Sequence, residues 1–111
     1  MSVDTTVLER TIIFDKLDEI HELCRQYKVR RLELFGSALR EDFVPERSDL
    51  DFLVEYCDMP LEDRAETFFG LWFGLEDLFG RSVDLISPSK VKNPYILREI
   101  NESRVVVYDA S

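Results

Sequence analysis

The sequence predicts a small α+β domain in which helices flank a mixed β-sheet. Three observations carry that reading. Residues Arg31–Phe35 and Leu50–Tyr56 alternate in polarity at the period of a half-buried strand. Two longer stretches, 14–27 and 62–79, repeat their apolar residues at helical spacing instead. A third strand-like run, 82–87, follows the second helix, and a β-rich segment, 104–108, closes the fold.

Residues 1–11 are mixed and polar, and no element is assigned to them. From Phe14 to Tyr27, residues Leu17, Ile20, Leu23, Cys24 and Tyr27 form an apolar stripe with acidic residues between them. That pattern makes an amphipathic helix packed on the sheet. His21 falls beside the stripe and reads as a side chain at the edge of the core. In the first strand, Leu32 and Leu34 share one face and Arg31 and Glu33 the other. In the second, Leu50, Phe52 and Val54 face one side while Asp49, Asp51, Leu53 and Glu55 face the other. The latter face is acidic at its start and apolar deeper in. Glu55 and Asp58 lie further along and read as solvated, and Met59-Pro60 breaks the strand.

The stretch 62–79 is apolar over more than one helical face. Phe68, Leu71, Trp72, Leu75, Leu78 and Phe79 form a core stripe, and Phe69 and Phe73 fall outside it. Gly70 and Gly74 weaken the helix but permit close approach of another backbone. Phe69 and Phe73 are either a patch for a protein partner or packed under the N-terminal segment. Gly80-Arg81 ends the helix. In the third strand, expected at the centre of the sheet, Val83 and Leu85 face one side and Asp84 the other. A carboxylate buried there is costly unless a metal or neighbouring cation compensates it. A strand-end hydrogen bond or pairing with Arg81 or Lys90 is the alternative. Asn93 and Pro94 suit the N-cap and first position of a helix running to about Asn101 and burying Ile96, Leu97 and Ile100.

Composition narrows the function classes. With 111 residues, 45% of them hydrophobic and 12% aromatic, the chain is expected to form a single domain over 1–111. A formal net charge of −9 argues against a stable nucleic-acid partner or an anionic membrane, since phosphate backbones are bound by Lys/Arg surfaces. A nucleotide neutralised by metal ions remains compatible. Cys24, Cys57 and the lone His21 make neither a disulfide framework nor a zinc set, which suits a cytoplasmic location. The first ten residues lack a signal-peptide pattern, and the longest uncharged apolar run, Thr67–Leu75, is too short to span a bilayer.

The chemistry concentrates between Arg30 and Tyr56. Asp49 and Asp51 share a strand face about 6–7 Å apart at the backbone, so their carboxylates can converge. Hard divalent cations take carboxylate oxygens, and two metals about 3.5–4 Å apart need ligands that bridge them. Gly36 allows the backbone to approach a ligand closely, and Ser37 adds a hydroxyl and an N–H suited to phosphate oxygens. Arg40 either adds positive charge to that loop or pairs with Glu41, Asp42 or Glu46.

A strand, Gly36-Ser37, a connector from Ala38 to Ser48, and Asp49-x-Asp51 opening a hydrophobic strand together resemble the DNA polymerase β-like nucleotidyltransferase superfamily. Within it, the chain resembles the minimal nucleotidyltransferase (MNT) family, antitoxin partners of HEPN toxins. The resemblance extends through Ser82–Ile86 and Asn93–Tyr95. Members often read GSxARG, whereas Leu39 and Glu41 flank Arg40 here. The resemblance implies a nucleotidyltransferase fold in which Asp84 completes a metal-binding and catalytic triad with Asp49 and Asp51, around two Mg²⁺ ions. It implies that Gly36, Ser37 and Arg40 bind the nucleotide. It further implies an antitoxin of the type VII kind, transferring AMP from ATP to a tyrosine of a HEPN ribonuclease toxin. The alternative is a non-catalytic antitoxin that blocks its partner by binding alone. A two-metal phosphoesterase would be expected to recruit further His or Asp ligands.

Overall fold

The computed structural model describes residues 13–35, 50–87, 92–95, 97–98 and 104–110. A 3₁₀ turn, Phe14–Lys16, leads into helix α1, Leu17–Gln26. Strand β1, Val29–Phe35, and strand β2, Leu50–Tyr56, come next, and helix α2 spans Leu61–Phe79. Strands β3, Val83–Ile86, and β4, Val105–Asp109, complete the elements. The sheet order is β3-β2-β1-β4. β1 is antiparallel to β2 and β4, whereas β2 and β3 run parallel. This is the mixed sheet with helices that the periodicities predict.

The helices cover one face of the sheet, because there the strands turn Leu32, Leu34, Leu50, Phe52, Val54, Val83 and Leu85 toward them. Ile20 and Cys24 of α1 and Leu71 and Leu75 of α2 are buried against those residues. Leu17, Leu23, Tyr27, Phe68, Trp72, Leu78 and Phe79 close the margins of the same core. Burial pushes the Cys24 thiol up to about 12, so the core keeps it protonated, whereas Cys57 is exposed. His21 lies at the core edge, its Nε2 2.8 Å from the Val107 carbonyl and its ring against Tyr108.

Gly70 faces the Tyr27 ring so closely that a Cβ there would collide with it. The neighbour that approaches is thus a side chain of the α1 end, not a second backbone as the sequence suggests. Gly80 ends α2 in the left-handed conformation, φ 62°, with its N–H donating to the Glu76 carbonyl at 2.8 Å. Phe69 and Phe73 are exposed at 47% and 55%, so they stay outside the core stripe as the spacing predicts. The N-terminal segment offered as their cover lies outside the described residues. After β3, Asn93 Oδ1 accepts the Tyr95 N–H at 2.9 Å, the expected N-cap of a helical turn. Leu97 departs from expectation: it is 39% exposed, because this turn leaves it facing solvent.

The sheet's second face carries Phe35, Leu53 and Ile86 as a small apolar cluster, with Asp51 and Asp84 at the same strand ends. No described helix covers it.

Replacing Gly70 with Ala should destabilise the fold by about 1–3 kcal/mol, despite the ~1 kcal/mol gain in helix propensity, because the Tyr27 ring must be displaced. Thermal unfolding would show a lowered midpoint; an unchanged or raised midpoint would mean that α1 and α2 are not packed this way.

Candidate active site

Pleating fixes where the acidic residues point. Along β2, Leu50, Phe52 and Val54 are committed to the core, so Asp51 and Leu53 must project from the sheet's second face. Along β3, Val83 and Leu85 are likewise committed, and Asp84 projects from the same face. The parallel register pairs Asp51 with Asp84 directly, on strands about 4.8 Å apart. Two like charges in that position repel unless a cation or proton lies between them. Two facing carboxylates at the rim of an apolar surface are a donor set suited to a hard divalent ion.

Strand order changes the reason for expecting a cation at Asp84. Sequence periodicity suggests a central strand and a buried carboxylate, but β3 stands at the edge of the described sheet and Asp84 is exposed. Asp84 therefore faces Asp51 at the surface of the sheet and is not a buried carboxylate. Asp49, Gly36, Ser37 and Arg40 lie outside the described residues. Gly36 follows directly on Phe35, which pairs with Asp51.

Asp84 is anchored from behind. The Ser82 carbonyl accepts from the Leu50 N–H, so the next residue, Val83, turns its backbone groups to the outer edge of the sheet. Two α2 side chains one helical turn apart meet them: Trp72 Nε1 donates to the Val83 carbonyl at 2.6 Å, and Glu76 Oε2 accepts the Val83 N–H at 3.1 Å. Both polar groups of the residue before Asp84 are thereby satisfied, and β3 is clamped to the helix. A core-stripe reading of Trp72 catches its packing but not this bond.

Glu33 is a second feature that the sequence conceals. Its carboxylate is the one described charged group that is buried, with only 6% of the residue exposed, and it lies on the sheet face away from the helices. Arg31 Nε lies 3.2 Å from Oε1 and Arg104 Nε 3.5 Å from Oε2. The available signal is that Glu33 shares its strand face with Phe35, which is no plain solvent face. A separate pocket of about 750 Å³, lined in part by Tyr56, Met59, Arg64, Phe68 and Leu85, opens beside β2 beyond the end of β3. It lies toward the strand ends opposite Asp51, and the proposed chemistry makes no use of it.

The nucleotidyltransferase domain family matches residues 17–107, which span both helices and β1 to β3 and reach into β4. The chain belongs to this family. A Methanocaldococcus jannaschii protein named as a protein adenylyltransferase is 41% identical over 85 residues, 77% of this chain and 83% of that protein. Another from the same organism, with the same name, is 34% identical over 99 residues, 82% of this chain and 97% of the relative. Among solved structures, a minimal nucleotidyltransferase matches with TM-score 0.57 and 27% identity, covering 81% of this chain and 87% of that one. A toxin–antitoxin structure with AMP-PNP matches with TM-score 0.61 at 18% identity, covering 86% and 74% of the two chains. An MNT antitoxin in complex with tri-AMPylated Shewanella oneidensis HEPN toxin matches at TM-score 0.53 and 20% identity, covering 85% and 70%. These last two likenesses extend the fold. The expected nucleotidyltransferase is thus the family to which this chain belongs, and its facing aspartates stand within the matched domain. None of the described helices of this nucleotidyltransferase is long and apolar enough to cross a membrane.

Substituting Trp72 with Phe keeps the ring packing and removes the bond to Val83. Stability should fall by about 1 kcal/mol, with faster amide exchange in β3 than in β1. Equal exchange changes in both strands would contradict local anchoring.

Proposed function

We propose that this nucleotidyltransferase is an Mg²⁺-dependent protein adenylyltransferase that moves AMP from ATP to a tyrosine of a partner HEPN ribonuclease toxin, acting as its antitoxin. The observation that carries the reading is the direct pairing of Asp51 with Asp84 on the sheet face away from the helices, in a chain 41% identical to a relative named for protein adenylylation. The structural likeness to toxin–antitoxin complexes, one with an ATP analogue and one with an AMPylated toxin, supports the choice of partner and nucleotide.

In this mechanism Asp49, Asp51 and Asp84 hold the metal, and Gly36, Ser37 and Arg40 hold the nucleotide's phosphates. Bound Mg²⁺ would neutralise the triphosphate and favour ionisation of the attacking hydroxyl. The acceptor oxygen bonds to the α-phosphorus as the α–β P–O bond breaks, and pyrophosphate leaves. The carboxylate of Asp84, on the exposed edge strand, takes the hydroxyl proton. Position and charge do most of the work, as in phosphoryl transfer generally. The cytoplasm, where ATP and Mg²⁺ are plentiful, is the fitting location.

A second reading is an antitoxin that acts by binding alone. The exposed Phe69 and Phe73, stacked with Trp72 along α2, favour it because they offer a docking surface independent of the aspartates. The readings part on ATP dependence. With a co-expressed HEPN partner, ATP and Mg²⁺, intact mass should rise by one or more AMP units with the wild-type chain and not with Asp51→Asn or Asp84→Asn. A partner left unmodified yet silenced by wild type and variants alike would overturn transfer and leave steric neutralisation.

A further inference from the structure

We propose that Arg104 is a phosphate-binding residue of the nucleotide site, held in place by the buried carboxylate of Glu33; the proposal rests on the transferase reading above. Three observations place it. The register Leu34↔Val105 puts Arg104, the next residue outward, level with Phe35. Phe35 pairs with Asp51, and Asp51 with Asp84. One row across the sheet therefore reads Asp84, Asp51, Phe35, Arg104. Phe35, Asp51 and Asp84 belong to the sheet face away from the helices, and Arg104 joins them there through its ion pair with Glu33; Phe35 itself is buried, and the row meets solvent at Asp84 and Arg104. Strand spacing puts Arg104 about 10 Å from Asp51 at the backbone, within the span of a triphosphate plus an arginine side chain.

The second observation is the state of the guanidinium. Glu33 meets its Nε at 3.5 Å, while 47% of the side chain is exposed. The contact fixes the arm and leaves the Nη edge to face a ligand. Arginine suits that role because its planar donors match phosphate oxygens in pairs. Arg31, the other partner of Glu33, lies one pleat further from the aspartates and opposite Asp109.

The third is charge. Burying a carboxylate is costly, and an exposed ion pair contributes little, so a buried glutamate spanning two arginines is a poor device for stability alone. It is a good device for aiming a cation. A chain of net charge −9 that gathers carboxylates at one strand end must offset the charge of an incoming triphosphate, and Arg104 is the described cation in that row. Because it stands across Phe35 from the aspartates, it takes the β- and γ-phosphates, where charge accumulates as pyrophosphate leaves, and not the α-phosphate beside the metal.

The test compares AMP-PNP with AMP, each with Mg²⁺, by calorimetric titration of the full chain. Arg104→Ala should weaken AMP-PNP about tenfold or more and leave AMP within about twofold, while Arg104→Lys recovers part of the loss. Glu33→Gln should weaken AMP-PNP several-fold in the same selective manner. Equal losses for both nucleotides, or none, would overturn the assignment. Thermal melts identify any variant that fails to fold, in which case the ratio for Arg104→Lys decides. Wild-type protein that binds neither nucleotide would overturn the transferase reading itself; wild type that binds AMP-PNP beside an unaltered Arg104→Ala would overturn this assignment alone.

Discussion

Asp51 and Asp84 face each other across parallel strands, and that direct register is the constraint around which the surrounding structure is arranged. Sheets ordinarily avoid like charges in directly opposed positions. Here the pair is imposed by pleating: Leu50 and Phe52 on one strand, Val83 and Leu85 on the other, are held in the core, and the intervening residues have no other face to occupy. Core burial thus sets the geometry of the acidic pair.

Rigidity behind the pair comes from α2. The helix packs Leu71 and Leu75 into the core, accepts Tyr27 against Gly70, and uses Trp72 and Glu76 to hold Val83 by both backbone groups. A short edge strand would otherwise fray where Asp84 must be held. One helix therefore links the hydrophobic core to the position of a single carboxylate. On the other side of the row, Glu33 orients Arg104 by an ion pair on a face that is partly apolar. Acid on β2 and β3 and the base just before β4 flank the end of β1, the strand that Gly36 and Ser37 follow in the sequence.

Local pattern made much of this legible. The bounds of β2 follow directly from its alternation, because turn-forming residues flank a run with one wholly apolar face. The amphipathic stripe of α1 and the doubly apolar α2 are visible for the same reason, as is the position of Phe69 and Phe73 outside the core stripe. Strand order is not a local property, which is why Asp84 looks central in sequence yet sits on an edge strand. β1 begins at Val29 through a bulge before Arg31, an irregularity that no two-residue period encodes. The burial of Glu33 depends on Arg104, far along the chain, so an alternating polar residue in a strand gives no hint of it. Placing Asp51 and Asp84 opposite the core-facing residues of their strands is a matter of periodicity; bringing them into direct register is a tertiary fact.

The most direct test of the account is thermal unfolding of wild type and Asp84→Asn, each with and without Mg²⁺. If the facing carboxylates repel and are relieved by a shared cation, Asp84→Asn should unfold at a higher temperature than wild type in metal-free buffer, and Mg²⁺ should raise the midpoint of wild type only. A lower midpoint for Asp84→Asn without metal, together with equal stabilisation of both proteins by Mg²⁺, would contradict it.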